Sequence, residues 1–159
     1  MRLLFPFFKW CDGTWVGETI RGSKYLFPVI EAIHLLGLTV LLGVMVIVGL
    51  RLFGVILQHE STRDLATDLR PYTWASIAVM LVTGFLLFAS EALKCYDSSS
   101  FRFKMSCLIL ALIFQVTIYH RATTSDTVDH SPGFARLTAI LALALWFGVG
   151  LGGRAIGFL

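Results

Sequence analysis

Residues 25–50, YLFPVIEAIHLLGLTVLLGVMVIVGL, decide the fold. As a helix rising about 1.5 Å per residue, this run reaches roughly 39 Å, enough to cross a hydrocarbon core about 30 Å thick. Its polar content is concentrated in Glu31 and His34. Spaced three apart, these two residues share one helix face. An ionisable side chain within a span costs roughly 2.5–3.5 kcal/mol on insertion scales and is generally kept for a partner, a proton or a ligand. The pair is therefore the first candidate site.

The rest of the chain agrees with a membrane reading. It is 57% hydrophobic and 14% charged over 159 residues, with mean hydropathy +0.79, too apolar for an ordinary soluble domain. The expectation is a single membrane domain, residues 1–159. A net charge of +3 without a basic stripe argues against nucleic acid as a partner. The amino terminus has a short apolar stretch but no full signal-peptide core or cleavage site, and is expected to be retained. Cys11, Cys95 and Cys107 form no metal-binding or disulfide pattern.

Four spans can be drawn, at about 25–57, 72–92, 101–120 and 135–158, with polar connectors 58–70, 94–100 and 121–133 between them. Helices satisfy their own backbone groups, as a bilayer requires. The expected architecture is an all-α integral-membrane four-helix bundle. Ahead of it, Phe7, Phe8, Cys11, Trp15 and Val16 group on one side of an amino-terminal interfacial helix. With four spans, eight Lys and Arg residues fall on the side of the termini and five on the other. That bias predicts cytoplasmic termini. Cys11 and Cys95 then share a side, and could pair only if it were oxidising.

Antiparallel threading predicts two polar layers. Near the termini lie Glu31 and His34 from the first span, Glu91 from the second, Lys104 from the third and Arg154 from the fourth. These groups could pair among themselves, or they could surround a porphyrin, with a His ligand inside and cations at its propionates. Gly37, one turn beyond His34, would leave space beside the imidazole. The far layer holds Arg51, Arg70, Tyr119, His120 and Arg121, very roughly 15–20 Å away in depth. His59 and His130 fall in connectors and read as surface histidines.

Other motifs exclude more than they suggest. Gly148-Val-Gly150-Leu-Gly152-Gly153 matches a dinucleotide fingerprint in letters only, since no strand precedes it and it ends an apolar span. Small residues at Gly148 and Gly152 read better as a close helix contact. Glu31 and His34 form half of a di-iron pattern whose second half is missing.

Glu31-Ala-Ile-His34-Leu-Leu-Gly37, then Gly43 and Arg51-Leu-Phe53, with a second patch at Phe101-Arg-Phe-Lys104 and Tyr119-His120, resembles the CopD-like superfamily of bacterial four-helix membrane proteins. That superfamily includes copper-resistance proteins and HemJ-type protoporphyrinogen oxidases; the remaining segments look closest to an uncharacterised branch. The resemblance implies a multi-pass protein of the bacterial inner membrane, binding haem b through His34 or handling copper.

The leading expectation is a haem b protein, an electron-transfer or accessory subunit of a membrane redox system and at most an oxidoreductase component. His34 is the axial ligand, Lys104 and Arg154 hold propionates, and Glu31 or Glu91 orients the imidazole. Met105 is a possible second ligand. Copper handling by His34 with Met45, Met80 or Met105, and a cofactor-free structural bundle, are the alternatives. Redox subunits or further copies of the chain are the expected partners besides the bilayer.

Overall fold

A computed structural model describes residues 5–57, 59, 61–119 and 132–156, all helical apart from short links. The helices are α1 (Phe5–Asp12), α2 (Trp15–Gly22), α3 (Leu26–Leu52), α4 (Thr62–Ser90), α5 (Ala92–Asp97), α6 (Ser99–Phe114) and α7 (Pro132–Ile156). A π-helical turn, Gln115–Tyr119, extends α6. Four stretches are long and apolar enough to cross a membrane: Leu26–Leu52, Thr62–Ser90, Ser99–Thr117 and Gly133–Ala155.

Several boundaries differ from those expected. The first span stops at Leu52, where Gly54 at φ +75° turns the chain; that left-handed conformation favours glycine. The second starts ten residues earlier than 72. Ser61 caps it, accepting from the Asp64 N–H at 2.9 Å, with Asp64 in the positive first turn. Pro71 thus sits inside α4 rather than near its start, and deprives the Thr67 carbonyl of its intrahelical donor. The expected connector 94–100 contains most of α5, and Ser98 caps α6 by accepting from Phe101 N–H at 3.2 Å. His120, Arg121 and His130 lie outside the described residues.

The amino-terminal segment is two helices rather than one interfacial helix. Thr14 separates them, its hydroxyl donating to the Cys11 carbonyl at 2.7 Å and accepting from Gly17 N–H at 3.3 Å. Arg21 ties them together through Asp12 at 2.9 Å. Cys11, Gly17 and Ile20 are buried, while Trp10 and Trp15 face outward.

α3 packs on α4 and on α7, and α7 packs on α6. The shared core comprises Leu41, Met45 and Val48 of α3, Ile77 and Met80 of α4, and Ala139, Ala142 and Trp146 of α7. Small residues let α6 and α7 approach closely. A Cβ on Gly148 would meet Cys107 Sγ at 3.2 Å, and one on Gly152 would meet Lys104 Cβ at 3.0 Å. The outward faces remain apolar, with Leu36, Val82, Phe85, Ile109, Leu110 and Leu151 all exposed. α4 and α6 barely meet, so one flank of the bundle stays open.

Candidate functional site

The open flank leads into a cavity of about 490 Å³. Its volume falls in the range of roughly 300–1,000 Å³ usual for sites of small molecules and cofactors. Phe7 and Phe8 of α1 roof it together with Phe88 and Phe101. The Phe88 and Phe101 rings stack at 5.4 Å, and Phe8 meets both edge-on at 5.3 and 6.1 Å. Trp146 and Val149 of α7 form the back. Two polar side chains of ionisable type enter this apolar space, His34 and Lys104.

The hydrogen bonding of His34 settles what its ring can do. Its Nδ1 lies 2.9 Å from Thr83 Oγ1. The Thr83 hydroxyl donates its own proton to the Val79 carbonyl at 2.6 Å. The hydroxyl oxygen is then an acceptor, and His34 Nδ1–H is the donor. A neutral imidazole carrying its proton on Nδ1 keeps the Nε2 lone pair for a ligand.

Thr83 therefore takes the orienting role expected of Glu31 or Glu91. Glu91 lies at the α4 end and pairs with Lys94 at 3.5 Å, and neither carboxylate lines the cavity. The space expected at Gly37 is supplied instead by Gly84, where a Cβ would come within 3.2 Å of His34 Cε1. Gly37 serves the α3–α4 contact, against Met80 and Val79.

Lys104 reaches the cavity beside Gly152 and Gly153, and no ion pair or hydrogen bond joins it to another described residue. Met105 lines the opening, as expected. Arg154 does not: it is exposed on the last turns of α7 and is not part of the cavity lining. The structure thus brings His34, Lys104 and Met105 together, and leaves Glu31, Glu91 and Arg154 outside. Met80, named in the sequence only for a copper route, also lines the cavity, whereas Thr83, Gly84 and the aromatic roof were missed in the sequence. Thr83 carries no individual signal, because its value depends on the register between α3 and α4.

Arg51 sits in the last turn of α3, about 25 Å along the helix from His34 at 1.5 Å per residue. On the α4–α6 side, a smaller cavity of about 40 Å³ contains Arg70, Gln115 and Tyr119. The two expected polar layers are therefore separate sites. Among the described residues, no three His, Cys, Asp or Glu side chains cluster as metal ligands.

The chain belongs to a family of unknown function, DUF6644, whose profile matches residues 7–159. No curated protein and no solved structure matches it.

Proposed function

We propose that the protein is an integral-membrane haem b protein of the bacterial inner membrane, acting as an electron-transfer or accessory subunit of a membrane redox system. α3, α4, α6 and α7 are the spans, and their exposed apolar faces support insertion. The observation that carries the haem reading is His34, whose Nδ1 proton is engaged by Thr83 beside a ligand-sized cavity. An imidazole held in this way has a defined tautomer and a fixed ring plane, the arrangement by which second partners set up ligating histidines. His34 Nε2 would hold the iron, and Lys104 would pair with a propionate. Bound haem would supply one-electron redox chemistry, while the aromatic walls keep water from the site.

Copper is the second reading, and one observation favours it: Met80 and Met105 line the same cavity as His34. Thioether and imidazole ligands suit cuprous ion.

The test is optical and elemental. Protein purified in mild detergent from haem-supplied cells should show a Soret band that shifts and sharpens on dithionite reduction. His34→Ala should abolish it, and His59→Ala should retain it. Colourless wild-type protein would overturn the haem reading, and stoichiometric copper in that preparation would promote the alternative.

A further inference from the structure

We propose that the cavity opens sideways to the lipid phase between α4 and α6, and that it takes a lipid-borne amphiphile whose anionic head group is held by Lys104. This rests on the membrane-spanning part of the reading above and concerns the haem-free protein, because the amphiphile and a haem would compete for one cavity and for Lys104. Two observations meet here. The first is the shape of the opening. α4 and α6 barely touch, and what closes the space at the end near the termini is the stack of Phe88 on Phe101, with Phe8 against both. Below that roof the lining residues Leu81 and Phe85 of α4 and Met105 of α6 are exposed on the outer surface. An opening bordered by such side chains on helices of spanning length faces acyl chains rather than water.

The second observation is charge. Lys104 is half-buried in a lining that is apolar apart from His34, and among the described residues no carboxylate lines the cavity and none neutralises it. Taking an ammonium from water without a counter-ion is costly, so the site favours a ligand that brings a negative charge. An inorganic anion would satisfy Lys104 but leave the aromatic walls uncovered. A molecule with an acid head and an apolar body satisfies both, and it arrives through the lipid.

Tryptophan quenching tests this without requiring haem. Trp146 lines the cavity and is 1% exposed, whereas Trp74 is 40% exposed on the outside of α4. Two single-tryptophan proteins are placed in phosphatidylcholine vesicles, one keeping Trp146 and one keeping Trp74, with the other tryptophans changed to Phe. Dibromostearic acid or its methyl ester is then added to the lipid, and iodide to the buffer in a separate arm. The acid should quench Trp146 at least threefold more strongly than the ester. Lys104→Gln should remove that preference, Lys104→Arg should keep it, and iodide should leave Trp146 unquenched. Trp74 should respond equally to acid and ester, which reports insertion independently. Equal quenching of Trp146 by acid and ester would overturn the proposal. So would no quenching of Trp146 while Trp74 is quenched, or iodide outperforming both lipids. If the brominated lipids left Trp74 untouched, the spanning reading itself would fail.

Discussion

Gly17 of α2 rests directly on the Ala89 carbonyl of α4, with no room for a side chain between them. This contact docks the amino-terminal pair of helices at the end of the bundle and holds α1, with Phe7 and Phe8, over the cavity. A β-carbon here would have to displace backbone, which does not yield as a side-chain tip does. Overpacking of this kind costs about 1–3 kcal/mol. Gly17→Val should therefore release α2 while the four long helices stay associated. Cys11, buried at 1% exposure, is the reporter. Its labelling by a water-soluble maleimide should rise at least about fivefold, the lower end of that cost at 1.4 kcal/mol per decade. Unchanged labelling would show that the Gly17 contact does not hold the pair.

The long helices were legible in the sequence because an apolar run of spanning length has few alternatives. Their ends were less so. Gln58 to Arg70 reads as a connector on polarity, yet Ser61 and Asp64 form a capping pattern that starts α4 ten residues early. His34 and Lys104 could be placed at one depth by counting helical rise, and the structure brings both to one cavity. Counting rise gives depth but not rotation. Arg154 and Glu91 do not line the cavity, and Thr83 and Gly84 meet His34 through a rotation that only helix packing determines. The aromatic roof depends on α1 folding back over α4 and α6, a tertiary contact with no local periodicity to announce it.

Cys95 lies in α5, between the long helices, and its thiol is pushed up from 9.0 to about 11 by burial, with the Glu91 carboxylate adding to the effect. The thiolate is the reacting species. Near pH 8, a shift of about two units lowers its population about a hundredfold. The folded state favours the neutral thiol, so this contribution to stability is present below about pH 9 and is lost as pH rises through about 11. Iodoacetamide labelling of Cys95, followed by mass spectrometry, should be about a hundredfold slower in folded than in denatured protein at pH 8. The folded rate should climb about tenfold per pH unit up to that point. Equal folded and denatured rates would contradict the shift.

Eight cations on the side of the termini against five on the other predict cytoplasmic termini for the spanning protein. A periplasmic alkaline phosphatase fused after Leu159 should therefore be inactive, and one inserted in the connector at His59 should be active. The reverse pattern would invert the orientation. It would also place Cys11 and Cys95 on an oxidising side, where non-reducing electrophoresis would check for a bridge between them.

Thr83 offers the most direct test of how His34 is set up. Its hydroxyl does two things at once, donating to the Val79 carbonyl at 2.6 Å and accepting from His34 Nδ1–H at 2.9 Å. Thr83→Val keeps the shape and removes the acceptor, so the imidazole loses the partner that fixes both its plane and its proton. Loss of such a partner typically weakens a histidine-held metal or cofactor by about 10–100-fold. Haem titrated into haem-depleted Thr83→Val protein should bind that much more weakly, with a broadened reduced Soret band, while helix content by circular dichroism stays at the wild-type level. Thr83→Ser retains a hydroxyl able to make the same two bonds and should restore affinity to within a few-fold. Gly84→Ala perturbs the other side, since its β-carbon would press on His34 Cε1 at 3.2 Å. It should displace the ring without removing the Thr83 acceptor. Wild-type affinity in Thr83→Val would mean that Thr83 does not determine which imidazole nitrogen faces the ligand.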